Sequence, residues 1–180
     1  DTAKVRIHYS GYSGGFTANI TFAFIEGTPP RNVLAINKLW NRSVPFGNAN
    51  NPITSTIAPV TITPPTGTVS SAMKFLISGH GSDANGCSEF CSKYYDVLLD
   101  GNAIAHKDIW RANCGSNHIY PQSGTWIYDR GNWCPGDKVF DSYFPLTGMS
   151  AGFSKPVDIE FENYQIASPS ASYIISGYAY

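Results

Sequence analysis

The chain has 180 residues, of which only 14% are charged, and its formal net charge at pH 7 is −1. So small a charge gives no basic footprint for nucleic acid or for an anionic membrane, and no apolar run approaches the roughly 18 residues needed to span a bilayer. Aromatic residues also make up 14%, alongside 17 glycines and 12 prolines. This composition is typical of an all-β protein with many turns, and the length fits one domain or two very small ones.

Alternation of apolar and polar residues predicts strands along most of the chain. The strongest hairpin signal is Asp100-Gly101, because this dipeptide suits a turn with positive φ. The predicted strands cover residues 4–9, 16–25, 33–40, 60–63, 72–78, 94–99, 103–107, 125–128, 138–140, 157–164 and 172–178. Because no segment predicts a helix longer than one turn, the fold class is all-β, an antiparallel two-sheet sandwich.

Residues 41–68 form the only linker-like stretch, which is polar and contains Pro64-Pro65. Its large apolar residues include Val44, Phe46, Ile53 and Ile57. A segment with these side chains can bury apolar surface, so we expect it not to be disordered throughout.

Four cysteines, Cys87, Cys91, Cys114 and Cys134, indicate two disulfides. A zinc site would favour C-x-x-C pairs or histidine partners nearby, and the sequence has neither. We therefore expect the cysteines to pair in sequence order, in an oxidising compartment. Closing the longer loop would contribute about 3 kcal/mol in the chain-entropy model. The short ring would contribute less, and we expect it to shape a loop.

Glu89 lies inside that short ring, which would leave its backbone few conformations and aim the carboxylate. A catalytic group needs such aim, because a misplacement of about 1 Å can cost about a hundredfold in rate. Arg130 and Trp133 lie three apart on a later loop, where an indole could stack on a sugar ring and a guanidinium could donate to its hydroxyls. The alternatives are a solvated loop acid, an Arg130–Asp129 pair and a core tryptophan.

The histidines do not predict a metal site. His8, His80, His106 and His118 show no spacing that would place two ligands on one face, and the aspartates are too scattered for a calcium loop. We expect no metal, and we expect His80, between two glycines, to be a corner residue hydrogen-bonded to the backbone.

Three motifs together resemble the C-terminal domain of the peptide-N-glycosidase F family. They are Gly79-His80-Gly81, the ring Cys87-Ser88-Glu89-Phe90-Cys91, and the loop Tyr128-Asp129-Arg130-Gly131-Asn132-Trp133-Cys134-Pro135-Gly136. The ring and the later loop are specific in combination, whereas either one alone would be a weak signal.

The resemblance implies a secreted bacterial amidase built from two eight-stranded jelly rolls, with the active site in the cleft between them. The implied reaction is hydrolysis of the amide bond between an N-linked glycan and asparagine, without a cofactor. On this basis Glu89 contacts the first sugar and helps to position the reacting groups, and Arg130 and Trp133 border the site. The disulfides of the family match Cys87–Cys91 and Cys114–Cys134.

Two departures from the family pattern are visible. Phe90 replaces a tryptophan, which keeps an apolar substrate contact and loses an N–H donor, so glycan preference is expected to differ. The principal catalytic aspartate of the family belongs to an N-terminal jelly roll that has no counterpart in this chain. One carboxylate cannot both activate water and protonate a leaving nitrogen, so this chain would supply half of a site.

We therefore expect residues 1–180 to be a single C-terminal jelly roll of such an amidase. The catalytic residue is Glu89, the substrate-binding residues are Phe90, Arg130 and Trp133, and no cofactor is used. Its expected partners are an N-linked glycoprotein or glycopeptide and an N-terminal jelly roll, with no nucleic acid and no membrane. The chain begins at Asp1 without a leader pattern, so we expect an upstream segment to have been removed from a secreted or periplasmic protein.

Two other functions are compatible with the same features. The first is a non-catalytic jelly roll that binds a glycan or a protein, which would bind chitobiose without turnover. The second is half of a copper monooxygenase with the same two-domain plan. This interpretation ranks last, because the sequence lacks the paired histidines that copper would need.

Overall fold

The computed structural model describes residues 5, 7, 19–119 and 122–180, and the chain divides into two compact units, Asp1–Asn32 and Val33–Tyr180. The strand predicted over residues 4–9 falls almost entirely outside the described residues. Residues 19–25, the described part of the next predicted strand, are not in a strand, so that prediction is wrong there. Phe22 and Phe24 are exposed, and alternation specifies a strand only where one of its faces is buried.

The unit Val33–Tyr180 contains every strand in the described part of the chain. These are β1 (Asn37–Phe46), β2 (Val60–Ile62), β3 (Ala72–His80), β4 (Lys93–Leu99), β5 (Asn102–Ile109), β6 (Ser142–Pro145), β7 (Lys155–Phe161) and β8 (Ala171–Ala179). A one-turn helix, α1 (Ile53–Thr56), and a short 3₁₀ helix, Cys114–Ser116, complete the regular structure.

The strands form two antiparallel sheets of four, in the orders β1-β8-β3-β6 and β2-β7-β4-β5. This is the eight-stranded, two-sheet plan of a jelly roll. The predicted fold class, an all-β antiparallel sandwich with two disulfides, is confirmed.

The core lies between the sheets, and alternate side chains of β4, β7 and β8 point into it. In β8, Tyr173 and Ile175 are buried, whereas Ile174 and Tyr178 are exposed on the outer face. Tyr95 of β4 is fully buried against three aromatic rings, Phe75, Phe144 and Phe161, with centroids 5.3, 6.2 and 6.1 Å away. Such pairs add about 0.5–1.5 kcal/mol each beyond area burial, so this aromatic cluster joins the two sheets.

Two predictions are confirmed: the turn at Asp100-Gly101 and the burial of apolar side chains in residues 41–68. Asp100 and Gly101 join β4 to β5 with φ values of 55° and 74°. Residues 41–68 are packed, as expected. The buried members of that stretch include Val44, Phe46, Ile53 and Ile57.

Two predicted strands are wrong for a shared reason: arginine side chains bond the backbone carbonyls that a sheet would need. Residues 125–128 form a turn whose Thr125 and Tyr128 carbonyls accept hydrogen bonds from Arg130. Residues 138–140 form no strand, and the Lys138 carbonyl accepts a bond from Arg111.

The boundaries of β1 and β6 also differ from expectation. β1 begins at Asn37 rather than at residue 33 and extends into the first six residues of the predicted linker, ending at Phe46. The sequence analysis missed β6, a four-residue edge strand that ends in Pro145 and pairs only with β3. A short strand at a sheet edge with a terminal proline carries little periodic signal. In the described ranges, no helix is long and apolar enough to cross a membrane.

Ile175→Ala and Ile174→Ala should separate the two faces of β8. Ile175 is fully buried, whereas Ile174 is 45% exposed in the same strand. Truncation at the core position should lower the free energy of unfolding by about 2–5 kcal/mol because it leaves a cavity, and truncation at the outer position by about 1 kcal/mol or less. Denaturant unfolding measures both variants, and equal losses would contradict the assigned faces.

Candidate functional site

Two loops at one end of the sandwich carry the predicted site residues. The first joins β3 to β4 and contains the Cys87–Cys91 disulfide, and the second joins β5 to β6 and contains the Cys114–Cys134 disulfide. Both bridges are paired as predicted. Three of the four cysteines, Cys87, Cys114 and Cys134, are buried, and each bridge closes a ring within its own loop.

The first loop fixes the carboxylate of Glu89. The Gly81 N–H donates to Glu89 Oε2 at 3.1 Å, and the Glu89 N–H donates back to the Gly81 carbonyl at 3.2 Å. Ser82 and Ser88 form an isolated antiparallel bridge beside this pair, with Ser88 at φ 56°. The side chain of Glu89 is only 17% exposed, so it is not the solvated loop acid of the alternative interpretation.

Arg130 of the second loop supplies the counter-charge. Its Nη1 lies 2.7 Å from Glu89 Oε1, whereas Nη2 donates to the Thr125 carbonyl and Nε donates to the Tyr128 carbonyl at 3.2 Å. The Arg130 side chain is 3% exposed. Its ion-pair partner is Glu89 on the other loop, and not the adjacent Asp129 of the alternative interpretation.

Four side chains stack in a column around this ion pair. The Arg130 guanidinium lies between the rings of Phe90 and Trp133, 4.9 and 4.8 Å from their centroids. His80 stacks on Trp133 with centroids 5.0 Å apart, and the indole N–H donates to the Gly79 carbonyl at 2.6 Å. Cation–π contacts of this kind contribute about 0.5–2 kcal/mol each. Trp133 is therefore a half-buried member of the site rather than a core residue.

The end of β3 and the two loops meet at two glycines, Gly79 of β3 and Gly131 of the second loop. Gly79 N–H donates to the Gly131 carbonyl at 2.8 Å, and Gly131 N–H donates to the Glu89 carbonyl at 2.7 Å. A Cβ on either glycine would overlap the carbonyl of Ser88. Glycine is thus needed here for close approach rather than for an unusual φ.

An open hollow of about 420 Å³ lies beside the column. Its lining residues are Phe90, Thr125, Tyr128 and Asp129. The Phe90 and Tyr128 rings meet nearly at a right angle, 82°, with centroids 6.5 Å apart. Mostly apolar walls with one carboxylate suit a ligand that has both an apolar face and hydroxyl groups.

Burial dominates the electrostatics of the column. Burial lowers the pKa of Arg130 and the neighbouring Glu89 opposes this shift. Arginine nevertheless stays charged at any pH relevant to proteins. Burial also lowers the pKa of His80, again against the attraction of Glu89, so the neutral imidazole is favoured.

The hydrogen bond of His80 differs from the prediction. Its Nε2 lies 2.8 Å from the Ser78 hydroxyl rather than against a backbone group. His106 pairs with Asp96 on the β4–β5 hairpin at 2.7 Å. Across residues 19–119 and 122–180, no three His, Cys, Asp or Glu side chains are close enough to hold a metal ion.

Sequence reasoning missed Arg111, which fixes the Arg130 loop from the other side. Arg111 and Arg130 exchange backbone hydrogen bonds of 2.9 and 3.2 Å. The Arg111 side chain forms an ion pair with Asp137, donates to the Lys138 carbonyl at 3.0 Å, and lies over the Phe140 ring at 4.7 Å. Nothing in its local sequence context marks Arg111, because all three contacts are some 26–29 residues away along the chain.

A protein-family model accounts for most of this chain. The model described as "Peptide-N-glycosidase F, C terminal" matches residues 48–179. The chain belongs to this family. The match includes both disulfide loops and all four members of the stacked column. No curated protein sequence matches the chain significantly.

Solved structures of peptide-N-glycosidase F superpose on the chain with a TM-score of 0.75. A recombinant peptide: N-glycanase F (PNGase F) is 26% identical over 85% of this chain and 53% of its own. PNGase F, described as a glycosylasparaginase from Flavobacterium meningosepticum, is 25% identical over 86% of this chain and 53% of its own. PNGF-II has the same fold, at 22% identity and a TM-score of 0.57 over 68% of this chain and 24% of its own. The chain thus spans about half the length of the PNGase F structures.

Gly131→Ala should separate the two loops. Its Cβ would overlap the Ser88 carbonyl, so we expect a loss of about 1–3 kcal/mol in the free energy of unfolding through overpacking. Gly115→Ala is the matched control, because its nearest neighbour would be 3.6 Å away and its φ is not positive. Chemical denaturation of both variants measures the difference, and a Gly131→Ala variant as stable as Gly115→Ala would contradict the close approach.

His80 should make the domain less stable in mild acid. Its folded-state pKa is lowered from an unfolded value of about 6.5, so below that pH the unfolded chain binds the extra proton more readily. Stability should therefore fall as pH drops from about 6.5 toward the folded-state pKa, and then level off. His80→Gln should remove this part of the pH dependence. Unfolding free energies of both proteins between pH 8 and pH 5 test it, and parallel curves would exclude His80 as the source.

Proposed function

We propose that this chain is the C-terminal jelly roll of an amidase that hydrolyses the bond between an N-linked glycan and asparagine. The observation that carries the proposal is the Glu89 carboxylate, held between Arg130 and the Gly81 N–H. The next residue, Phe90, lines the hollow, whereas Glu89, Arg130 and Trp133 are not among its lining residues. Family membership supports the reaction class, and the resemblance of the PNGase F structures supports a two-wall cleft of which this chain forms one wall.

In this proposal Glu89 is the group that meets the reacting end of the substrate. Each of its carboxylate oxygens receives one hydrogen bond from the protein, and a carboxylate oxygen can accept two. One acceptor site on each oxygen thus serves the first sugar or the attacking water. Water adds to the amide carbonyl, the carbon–nitrogen bond breaks and the nitrogen gains a proton, which yields aspartate and a glycosylamine without a cofactor.

In this proposal Arg130 and Trp133 support Glu89, whereas Phe90 contacts the sugar. Because the Arg130 guanidinium is almost fully buried and its three nitrogens are bonded within the protein, Arg130 acts through Glu89 as a positioning residue. Trp133 covers one face of that guanidinium, and Phe90 covers the other and also lines the hollow. Phe90 is therefore the residue that we assign to the apolar face of the sugar.

The second half of the site comes from outside this chain in our proposal. Amide hydrolysis needs positioned groups on both sides of the scissile bond. A further N-terminal jelly roll, in the same polypeptide or in a separate one, would supply the second carboxylate. The two disulfides support an oxidising compartment, so we propose a secreted or periplasmic location and a bacterial origin.

Glu89→Gln should reduce kcat/KM of the intact protein on a denatured N-glycosylated protein by about a hundredfold or more, because the neutral amide loses the charge pairing with Arg130 and one acceptor oxygen, so the reacting groups are no longer held in place. Glu160→Gln, on an exposed position of β7, is the matched control and should keep full activity. Glycan release measured by mass spectrometry gives the rates, and thermal unfolding confirms that the variants are folded. Unchanged activity in Glu89→Gln would remove Glu89 from the site, and binding of chitobiose without turnover by wild type would favour a glycan-binding module.

A further inference from the structure

Tyr164 contacts both ends of the loop that carries Glu89. It lies three residues beyond β7, outside the loop itself, and neither the disulfides nor the stacked column involve it. The loop leaves β3 after His80 and enters β4 at Lys93. Tyr164 touches Asp83 and Asn85 at the first end, where the Asn85 Nδ2 donates to the Tyr164 hydroxyl at 3.2 Å, and Lys93 at the second.

At the first end, Asp83 organises the backbone that leads into the Cys87–Cys91 ring. Its Oδ1 accepts the N–H groups of Asn85 and Cys87 at 2.9 and 3.0 Å, and the Tyr164 hydroxyl donates to Oδ2 at 2.6 Å. The Asp83 N–H also donates to the Cys87 carbonyl at 3.1 Å. Asp83 is 8% exposed, so its charge depends on these donors.

At the second end, Lys93 lies over the face of the Tyr164 ring. The ammonium nitrogen is 4.6 Å from the ring centroid and 2.7 Å from Glu162 Oε1. Both partners of this ion pair are largely buried, with 15% and 25% of their side chains exposed. One aromatic side chain thus contacts Asp83, four residues before the ring, and Lys93, two residues after it.

Phe46 of β1 and Gly47 directly after it pack against the ring of Tyr164. Its ring stacks on Phe46 with centroids 4.9 Å apart and an interplanar angle of 12°. A Cβ on Gly47 would lie 3.1 Å from the same ring. The ring has little room to move, so the positions of Asp83 and Lys93 are tied to the sandwich core.

We propose that Tyr164 is a positioning residue for Glu89, acting through Asp83 and Lys93. The proposal rests on the proposed function for its catalytic consequence, but its structural consequence stands alone. The disulfide closes a ring of five residues and leaves the placement of that ring on the domain open. The Tyr164 contacts fix this placement, while Arg130 and Gly81 fix the carboxylate within it.

Hydrogen exchange followed by NMR on the full chain tests the structural part. Tyr164→Phe removes only the hydroxyl and keeps the ring on Phe46. We expect the amides of Gly81, Glu89 and Gly131, which bond across the site, to exchange at least about tenfold faster. Core amides in β7 and β8 should change less than about twofold. Unchanged rates at the three site amides, or equal acceleration throughout the domain, would overturn the proposal.

Two further variants sharpen the comparison. Tyr143→Phe removes a hydroxyl from an exposed tyrosine of β6 and should leave all rates at the wild-type level. Asp83→Asn keeps an oxygen for the Asn85 and Cys87 N–H groups and places an NH2 group where Oδ2 accepts the Tyr164 hydroxyl. Its effect and that of Tyr164→Phe should therefore not add in the double variant. Full additivity of the two effects would show that they do not act through a shared bond.

The catalytic part is measured on the intact protein. Tyr164→Phe should lower kcat/KM for glycan release by about tenfold or more, because small displacements of a reacting group are costly, while Tyr143→Phe should retain the wild-type value. Full activity in Tyr164→Phe would contradict the positioning role. If the wild type releases no glycan, the proposed function fails, and the exchange rates still decide whether Tyr164 positions the loop.

Discussion

The ion pair between Arg130 and Glu89 joins two loops that are far apart in sequence, and the rest of the site is arranged around it. A guanidinium that is 3% exposed would be costly without a counter-charge, because removing one partner from a buried pair costs about 3–5 kcal/mol. The protein compensates for its burial with carbonyl acceptors from Thr125 and Tyr128 and with two aromatic faces. These same groups make the carboxylate rigid, so stability and the geometry of the proposed chemistry depend on one contact.

The sandwich places this contact by ordinary packing. The central strand β8 alternates strictly and is buried on one face, so its register against β3 is fixed. His80, the last residue of β3, is therefore held at a defined end of the sheet. The loop from β3 to β4 therefore begins at a fixed position, and the Cys87–Cys91 disulfide limits the conformations of its backbone. The loop before β6 starts from β5, and farther along it is held by Arg111 through its contacts with Asp137, Lys138 and Phe140.

Much of the fold could be predicted from the sequence, since alternation, the Asp100-Gly101 turn and the cysteine count are local signals. The predicted strand at residues 125–128 failed because Arg130, five residues or fewer away, takes the carbonyls that a ladder would use. The candidate site, too, could be predicted only in part from the sequence. Local spacing indicated that Glu89, Arg130 and Trp133 were functional candidates, whereas the bond partners of Arg130, the burial of its guanidinium and the role of Tyr164 depend on contacts between distant parts of the chain.

The close approach of Gly79, Ser88 and Gly131 has a consequence for engineering. The end of β3 and the two loops share a space too small for a single methyl group, so neither loop has an independent shape. If the Cys87–Cys91 ring were grafted onto another sandwich without the loop that contains Gly131, we expect it not to keep its conformation. For the same reason, natural or designed diversity in ligand preference is expected at the rim, at Thr125 and Tyr128, where side chains can be exchanged without disturbing this junction.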